Sequence, residues 1–171
     1  MRWFARRERP PAVALAALDA GERVVSWADT ADGAVVVATP RGLHWPDGDG
    51  HRLIGWQHVD KAVWRSGELS LVQADVVADL LLVDRPVVAV ALAVPRDLPQ
   101  AVRKRVDANV VRSELLPVSG GAARFVARRV PGVDGVVWWA RLEPGVPDTD
   151  EVRASVRMRM AELAARYPRA E

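Results

Sequence analysis

Apolar and polar residues alternate in short runs along the first half of the chain, which is the period of a β-strand. In the run 68–72, for example, Leu69 and Leu71 point to one side of the strand. Turn residues such as Asp32 and Gly33 separate the runs, because glycine readily adopts the positive φ of tight turns. The pattern predicts a short helix at 12–19 and strands at 23–28, 34–39, 42–45, 52–56, 59–64, 68–72, 76–83 and 87–94.

The apolar period then lengthens and becomes that of an amphipathic helix. Four apolar residues recur every four positions: Leu98, Val102, Val106 and Val110. Asp97 followed three residues later by Gln100 is typical of a capping box, in which two side chains bond the free amides at a helix start. We therefore expect a helix at 97–111 that packs its apolar stripe on the preceding strands.

A second group of elements follows residues 117–121. The pattern predicts a hairpin of strands 123–130 and 136–142, then a helix at 148–167 that starts with another capping-box pattern, Asp148 and Glu151. The helix carries one apolar stripe: Val152, Val156, Met160, Leu163 and Tyr167. Hairpins and single helices of this length are marginal alone in water. We expect the helix to cover one face of the hairpin and the whole extension to pack on the first group.

Composition places the chain among globular proteins of one domain. Half of its 171 residues are apolar and 27% are charged, so it can bury a core and is not disordered. It has no cysteine, which excludes a disulfide scaffold and a thiol enzyme. A net charge of only +2 argues against a nucleic-acid partner. We expect no secretory leader and no membrane helix, which needs ~20 apolar residues, and hence a cytoplasmic location.

Turns and tryptophans recur in a pattern across four consecutive segments. The segments are 34–45, 52–56, 59–64 and 68–72. The turn that ends the first strand reads Thr39, Arg41, Gly42 and Leu43. Trp56 then stands three residues before the apolar Val59. This pattern resembles that of bacterial pleckstrin-homology-like domains, in particular actinobacterial members, over about residues 22–112 including the helix.

The resemblance implies an α+β fold, a small antiparallel β-barrel or sandwich closed by an amphipathic helix. The hairpin and the last helix would then be a C-terminal extension. We divide the chain into a basic segment with a short helix at 1–21, the pleckstrin-homology-like domain at 22–116 and the extension at 117–171. Members of this family that bind phosphoinositides use Lys and Arg of the first strand–strand loop. Here that loop, 29–33, has two acids and no base, so we expect no phosphoinositide ligand.

Side chains that could carry catalysis are few. The chain has no Gly-x-Ser-x-Gly elbow, no phosphate-binding glycine loop and no His-Glu-x-x-His motif. We therefore expect neither an enzyme nor a cofactor site. A hairpin with its loop at 47–50 would pair His44 with Leu53 and place His44 and His51 on one face, where Asp49 could join them as a metal ligand. Closed metal sites need three or four ligands, so we interpret both histidines as strand residues.

Seven tryptophans stand out beside two phenylalanines and one tyrosine. Most are expected to fill a core whose Val and Ala side chains are small. Trp138 and Trp139 are adjacent in a predicted strand and must point to opposite faces. We expect one of them to lie at a seam, in a groove or at a partner interface, which includes a homodimer.

These features favour a non-enzymatic binding or scaffold module. Its expected ligand is a protein or peptide, held at a sheet edge or in a tryptophan-lined groove. The alternative is a membrane-peripheral module in which Trp3 and Phe4 enter the lipid interface beside Arg6 and Arg7. The nearest approach to a nucleic-acid surface is the set Arg124, Arg128 and Arg141 of the hairpin, and the low net charge opposes that function.

Overall fold

The computed structural model describes residues 8–16 and 18–168. Within these residues, three α-helices pack on an eleven-stranded mixed sheet. The helices are α1 (Ala12–Ala16), α2 (Leu98–Asn109) and α3 (Asp150–Arg166). The strands are β1 (Ser26–Thr30), β2 (Val35–Ala38), β3 (Gly42–Asp47), β4 (Gly50–Gly55), β5 (Val59–Arg65), β6 (Glu68–Val77), β7 (Leu81–Asp84), β8 (Val88–Val94), β9 (Val110–Val118), β10 (Gly121–Arg128) and β11 (Val137–Leu142). A 3-10 turn, Trp56–His58, joins β4 to β5.

Strand order within the sheet is β4-β3-β2-β1-β8-β6-β7-β11-β10-β9, and β5 lies off this path as a second neighbour of β6. Neighbouring strands are antiparallel except β7 and β11, which run parallel where Leu81 faces Ala140. The sheet does not close on itself, since β4 and β9 form its two ends.

β6 joins the two halves of this sheet. Its first part pairs with both β5 and β8, and its second part, from Ala74 to Val77, pairs with β7. The chain turns back into β7 at Ala78 and Asp79, which both have a φ of 52°. From β7 the backbone ladder continues through β11 to β10 and β9. One ten-residue strand therefore belongs to both halves.

The expected small pleckstrin-homology-like barrel, closed by one helix, is wrong. The apolar pattern predicts one strand at 76–83, whereas the chain turns at Ala78 and Asp79 within that run and so creates β7. An unpaired strand edge bonds readily to another extended segment, and the free edge of β7 takes β11. The tail therefore continues the sheet, and the result is one open sheet in place of a barrel with an added hairpin.

α2 covers the first half of the sheet. Leu98, Val102 and Val106 of the predicted stripe are buried on it, each contributing about 1.5–3 kcal/mol relative to exposure. Their neighbours in this core come from β1 to β8: Ala28, Val36, Leu43, Trp45, Ile54, Trp56, Leu69, Leu71 and Leu92. Val110 departs from the stripe and begins β9, in line with the strand preference of the β-branched pair Val110-Val111.

α3 covers the other half, and its predicted apolar stripe is confirmed. The stripe lies in one core with residues of β7, β9, β10 and β11: Val152, Val156, Met160, Leu163 and Tyr167 pack with Leu81, Val118, Phe125 and Ala140. Phe125 and Val156 of this core have no exposed surface, whereas Met160 and Tyr167 are partly buried. The helix and the strands therefore stabilise each other, as two elements that are each marginal alone must do.

Trp138 and Trp139 lie on opposite faces of β11, as predicted. Trp138 is half-buried and stacks on Tyr167 with 6.2 Å between ring centroids. Trp139 is buried among Ala74 of β6 and Leu82 of β7. The residues that cover the second face of β11 thus come from the same chain, at the seam between the two halves of the sheet.

Neither predicted capping box forms. The carboxylate of Asp97 accepts a hydrogen bond of 2.5 Å from the Ser26 hydroxyl and makes no cap bond to α2. The cap of α3 is Thr149, whose Oγ1 accepts a backbone N–H of the first turn at 3.3 Å. Asp148 pairs with Arg153 instead, and this hydrogen bond lowers the pKa of Asp148 below its usual value. Nearby side chains have displaced the local pattern in both cases.

Candidate functional site

A groove of about 490 Å³ runs between β5 and α2. Among the described strands, β5 pairs with β6 alone, so its other edge carries no ladder. The lining comes from the strand, from the helix that faces it and from one residue of β6: Asp60, Lys61, Ala62, Val63, Trp64, Leu69, Pro99, Gln100, Arg103, Val106 and Asp107. The groove therefore combines an unpaired strand edge with one side of a helix.

Hairpin geometry determines which backbone groups of β5 are free. Ser66 and Gly67 have φ values of 52° and 80°, which is typical of a two-residue hairpin turn. In such a hairpin the residues that flank the turn exchange backbone hydrogen bonds, and bonded and non-bonded pairs then alternate. Ala62 and Trp64 occupy the non-bonded positions of the β5–β6 ladder. Their N–H and C=O groups consequently point away from β6 along the free edge.

The side chains of the groove offer apolar contact and little net charge. Trp64 is 41% exposed, a large fraction for an aromatic side chain of this size. On α2, Arg103 lies 3.8 Å from Asp107, and both side chains are largely exposed. Across the lining, the two cations, Lys61 and Arg103, equal the two acids, Asp60 and Asp107, in number. The groove thus suits an extended apolar segment better than a strongly charged one.

Arg128 occupies the free edge of β5 at the start of the strand. Its side chain is 3% exposed, and Nη1 donates to the Val59 carbonyl at 2.8 Å. Nη2 donates to Asp60 at 2.6 Å, and Asp60 also lies 3.2 Å from Nη2 of Arg141. Burial lowers the pKa of Arg128 from its usual value, with Asp60 acting in the opposite direction. Arg128 is therefore committed to contacts inside the protein, and Arg141, whose side chain is 23% exposed, also bonds Asp84.

His44 and His51 do not come together as a metal site. The predicted hairpin pairing of His44 with Leu53 is confirmed. Nε2 of His44 lies 3.1 Å from Glu22, whereas Nε2 of His51 lies 2.7 Å from the Val35 carbonyl. In residues 8–16 and 18–168, no three His, Asp or Glu side chains are grouped closely enough to ligate a metal ion.

Glu22 is the centre of a buried polar network. Its side chain is 3% exposed, accepts a hydrogen bond of 2.5 Å from the Thr39 hydroxyl and contacts His44. Burial raises the pKa of Glu22, but the hydrogen bonds from Thr39, His44 and the Asp19 amide outweigh it and hold the pKa below 4.5. The ionised carboxylate therefore stabilises the fold above the pKa of the unfolded state.

This network predicts a specific acid sensitivity. The stabilisation is present above about pH 4.5 and is lost as the pH falls through the lower folded-state pKa. We expect Glu22→Gln to cost about 1–3 kcal/mol of unfolding free energy at neutral pH, and less in acid. Urea unfolding of both proteins across this range measures the difference. A gap between them that stays constant down to about pH 2 would contradict the assignment.

The predicted interaction residues fall in two groups. Trp139 is buried within the chain, whereas Trp138 is half-buried against Tyr167. Trp3, Arg6 and Arg7 lie outside the described residues. The chain that follows them packs on the fold at Glu8. The backbone carbonyl of Glu8 accepts a hydrogen bond of 3.2 Å from the indole N–H of Trp27, and its carboxylate lies 3.0 Å from Arg96. Arg96 in turn stacks over the Trp27 ring.

The sequence pattern did not distinguish Ala62 and Trp64, whose backbone N–H and C=O groups point along the free edge of β5. The signal present was local: Lys61 and Arg65 flank the exposed Trp64, and charged residues are typical of edge strands.

None of the helices in the described part of the chain is long and apolar enough to cross a membrane. No protein-family model, curated protein or solved structure matches this chain, so the family resemblance stays a prediction from the sequence.

Proposed function

We propose that this protein is a peptide-binding module that captures an extended segment of a partner protein on the free edge of β5. The bound segment would form an added strand between β5 and α2. The observation that carries the proposal is that β5 leaves one edge unpaired and faces a groove along that edge. Strand addition is a general mode of peptide recognition, in which the backbone supplies affinity and side-chain pockets supply specificity.

The groove supplies both kinds of contact. Ala62 and Trp64 offer two N–H and two C=O groups in the alternating pattern that an incoming strand needs. The exposed Trp64 indole offers apolar area, and tryptophan is enriched among residues that dominate binding energy. Since Arg128 already occupies the Val59 carbonyl, the available edge begins near Lys61. The bound segment is therefore short and carries apolar residues opposite Trp64.

Selection from a displayed library of short random peptides against the full chain tests this proposal. The peptides recovered should be extended, uncharged near the centre and free of proline at the pairing positions. Synthetic copies should slow hydrogen exchange at the amides of Ala62 and Trp64, because a new ladder occupies them. Peptides that protect no amide of β5 would show that binding, if present, uses another surface.

Proline at position 62 separates strand addition from simple apolar contact. Ala62→Pro removes an N–H that points away from β6, so the β5–β6 ladder stays intact, as proline is tolerated on edge strands. We expect the affinity for a selected peptide to fall about tenfold or more through loss of a backbone bond and of strand geometry. Isothermal titration calorimetry measures the affinity.

Two further variants serve as controls. Trp64→Ala should also weaken binding, because it removes the exposed indole. Leu115→Ala removes an exposed apolar side chain of β9 outside the groove and should leave binding unchanged. Unaltered affinity in Ala62→Pro, with a far-ultraviolet dichroism spectrum like that of the parent, would refute strand addition at β5.

A further inference from the structure

A second cleft, of about 950 Å³, lies at the other end of α2. Its walls are the turn at Pro40 and Arg41, the last turn of α2 with Arg105 and Asn109, and the loop 129–135. Three arginines and one acid line it: Arg41, Arg105, Arg129 and Asp134. We propose that this cleft binds a phosphate monoester. The site is separate from the peptide groove and does not depend on it.

The turn that carries Arg41 is fixed by hydrogen bonds. The Arg41 N–H donates to Oγ1 of Thr39 at 3.2 Å, and its carbonyl accepts the Trp56 N–H at 3.3 Å. The Trp56 indole N–H donates to the Thr39 carbonyl at 2.9 Å. Trp56 is buried beneath this turn. The wall of the cleft is therefore preorganised, which lowers the ordering cost of binding.

The opposite wall is fixed in the same way by Asn109. Its backbone carbonyl accepts the Arg129 N–H at 3.0 Å, and its Nδ2 donates to the Arg129 carbonyl at 2.6 Å. Asn109 is 5% exposed, and its Oδ1 has no hydrogen-bond partner among the described residues. That oxygen has almost no accessible surface, so Asn109 fixes the wall of the cleft, and the arginines are the groups that can meet a ligand.

The charges of the cleft indicate the nature of the ligand. Arg41 is already paired with Asp19. Arg105 and Arg129 form no ion pair with any carboxylate in the described part of the chain. A phosphate monoester carries close to two negative charges at neutral pH, and its oxygens accept from guanidinium groups. It therefore matches two free arginines better than a carboxylate of single charge.

A phosphate monoester can reach the cleft free in solution or as a lipid headgroup, and two probes separate these sources. The soluble probe is glycerol phosphate, with glycerol as the uncharged control. The membrane probe is a vesicle of phosphatidylcholine with added phosphatidic acid, compared with phosphatidylcholine alone. Calorimetry follows the soluble probe and sedimentation follows the vesicles, both with the full chain.

Arginine substitutions locate the binding. Arg105→Gln and Arg129→Gln should each weaken binding of the competent probe about tenfold, because each removes charge-assisted hydrogen bonds. Asp134→Asn should strengthen it by removing a like charge from the cleft. Lys104→Gln, the matched control, removes a positive charge from the neighbouring position of α2 outside the cleft and should leave binding unchanged.

The outcomes decide between site and source. Binding of glycerol phosphate that depends on Arg105 and Arg129 supports a soluble ligand. Binding of phosphatidic acid vesicles alone, with the same dependence, supports a lipid headgroup. If neither probe binds, or if Lys104→Gln weakens binding as much as Arg105→Gln, the cleft is not a phosphate site. Peptide binding at β5 is measured separately and stays unaffected by either result.

Discussion

Replacing Val102 with aspartate will destabilise the protein severely. Val102 has no exposed surface and lies in the middle of the α2 stripe, between Leu98 and Val106 in the core beneath the helix. A carboxylate at this position would be buried among apolar side chains with no cation to pair with it. We expect a loss of about 4–5 kcal/mol, a large part of the 5–15 kcal/mol that holds an ordinary domain folded.

Urea unfolding followed by circular dichroism measures the loss in Val102→Asp. The matched control is Lys104→Asp, which places the same carboxylate on the exposed face of the same helix. A surface change of this kind is expected to stay within about 0.5 kcal/mol. Near-equal stabilities of the two variants would mean that the α2 stripe does not face the core.

Arg128→Met is expected to have the second largest effect. The guanidinium is almost completely buried and bonds both the Val59 carbonyl and Asp60. Removing it leaves the carbonyl without its donor and Asp60 with Arg141 as its remaining partner. Breaking a buried pair on one side costs about 3–5 kcal/mol in other proteins, and methionine recovers part of this by filling the space. We expect a net loss of about 2–4 kcal/mol.

Arg124→Met provides the control on the same strand. Arg124 pairs with Glu143 at 3.8 Å, but its side chain is about half exposed, and ion pairs of that kind contribute about 0–1 kcal/mol. Thermal or urea unfolding of both variants gives the comparison. If Arg128→Met were no less stable than Arg124→Met, the contact from β10 to β5 would contribute little to joining the halves of the sheet.

Local patterning was sufficient to locate most elements. Each predicted strand overlaps an observed one, because alternation and turn residues act within a few positions. The run 76–83 is not the single strand that was predicted, because it contains the end of β6, a turn and the start of β7. β9 was missed because Val110 continued the spacing of the α2 stripe. In both places neighbouring strands decided the structure.

Strand partners could not be read from the chain in the same way. The pairing of Leu81 with Ala140 joins segments far apart in sequence, and no local preference encodes it. The same limit applies to the candidate site. Whether β5 is an inner or an edge strand depends on which strands lie beside β6, and the charged Lys61 and Arg65 favour an edge without deciding it. The cap of α3 shows the limit at short range, because Asp148 is engaged by Arg153.

The parallel pair of β7 and β11 also has a consequence for synthesis of the chain. Leu81 leaves the ribosome about 60 residues before Ala140, which at about 5–20 residues per second is an interval of about 3–12 s. During that time β7 has no partner on its outer edge, and the leucines that later fill both cores beside it are available to other nascent chains. The period of exposure to misassembly is thus set by the rate of translation and not by the rate at which the two strands pair.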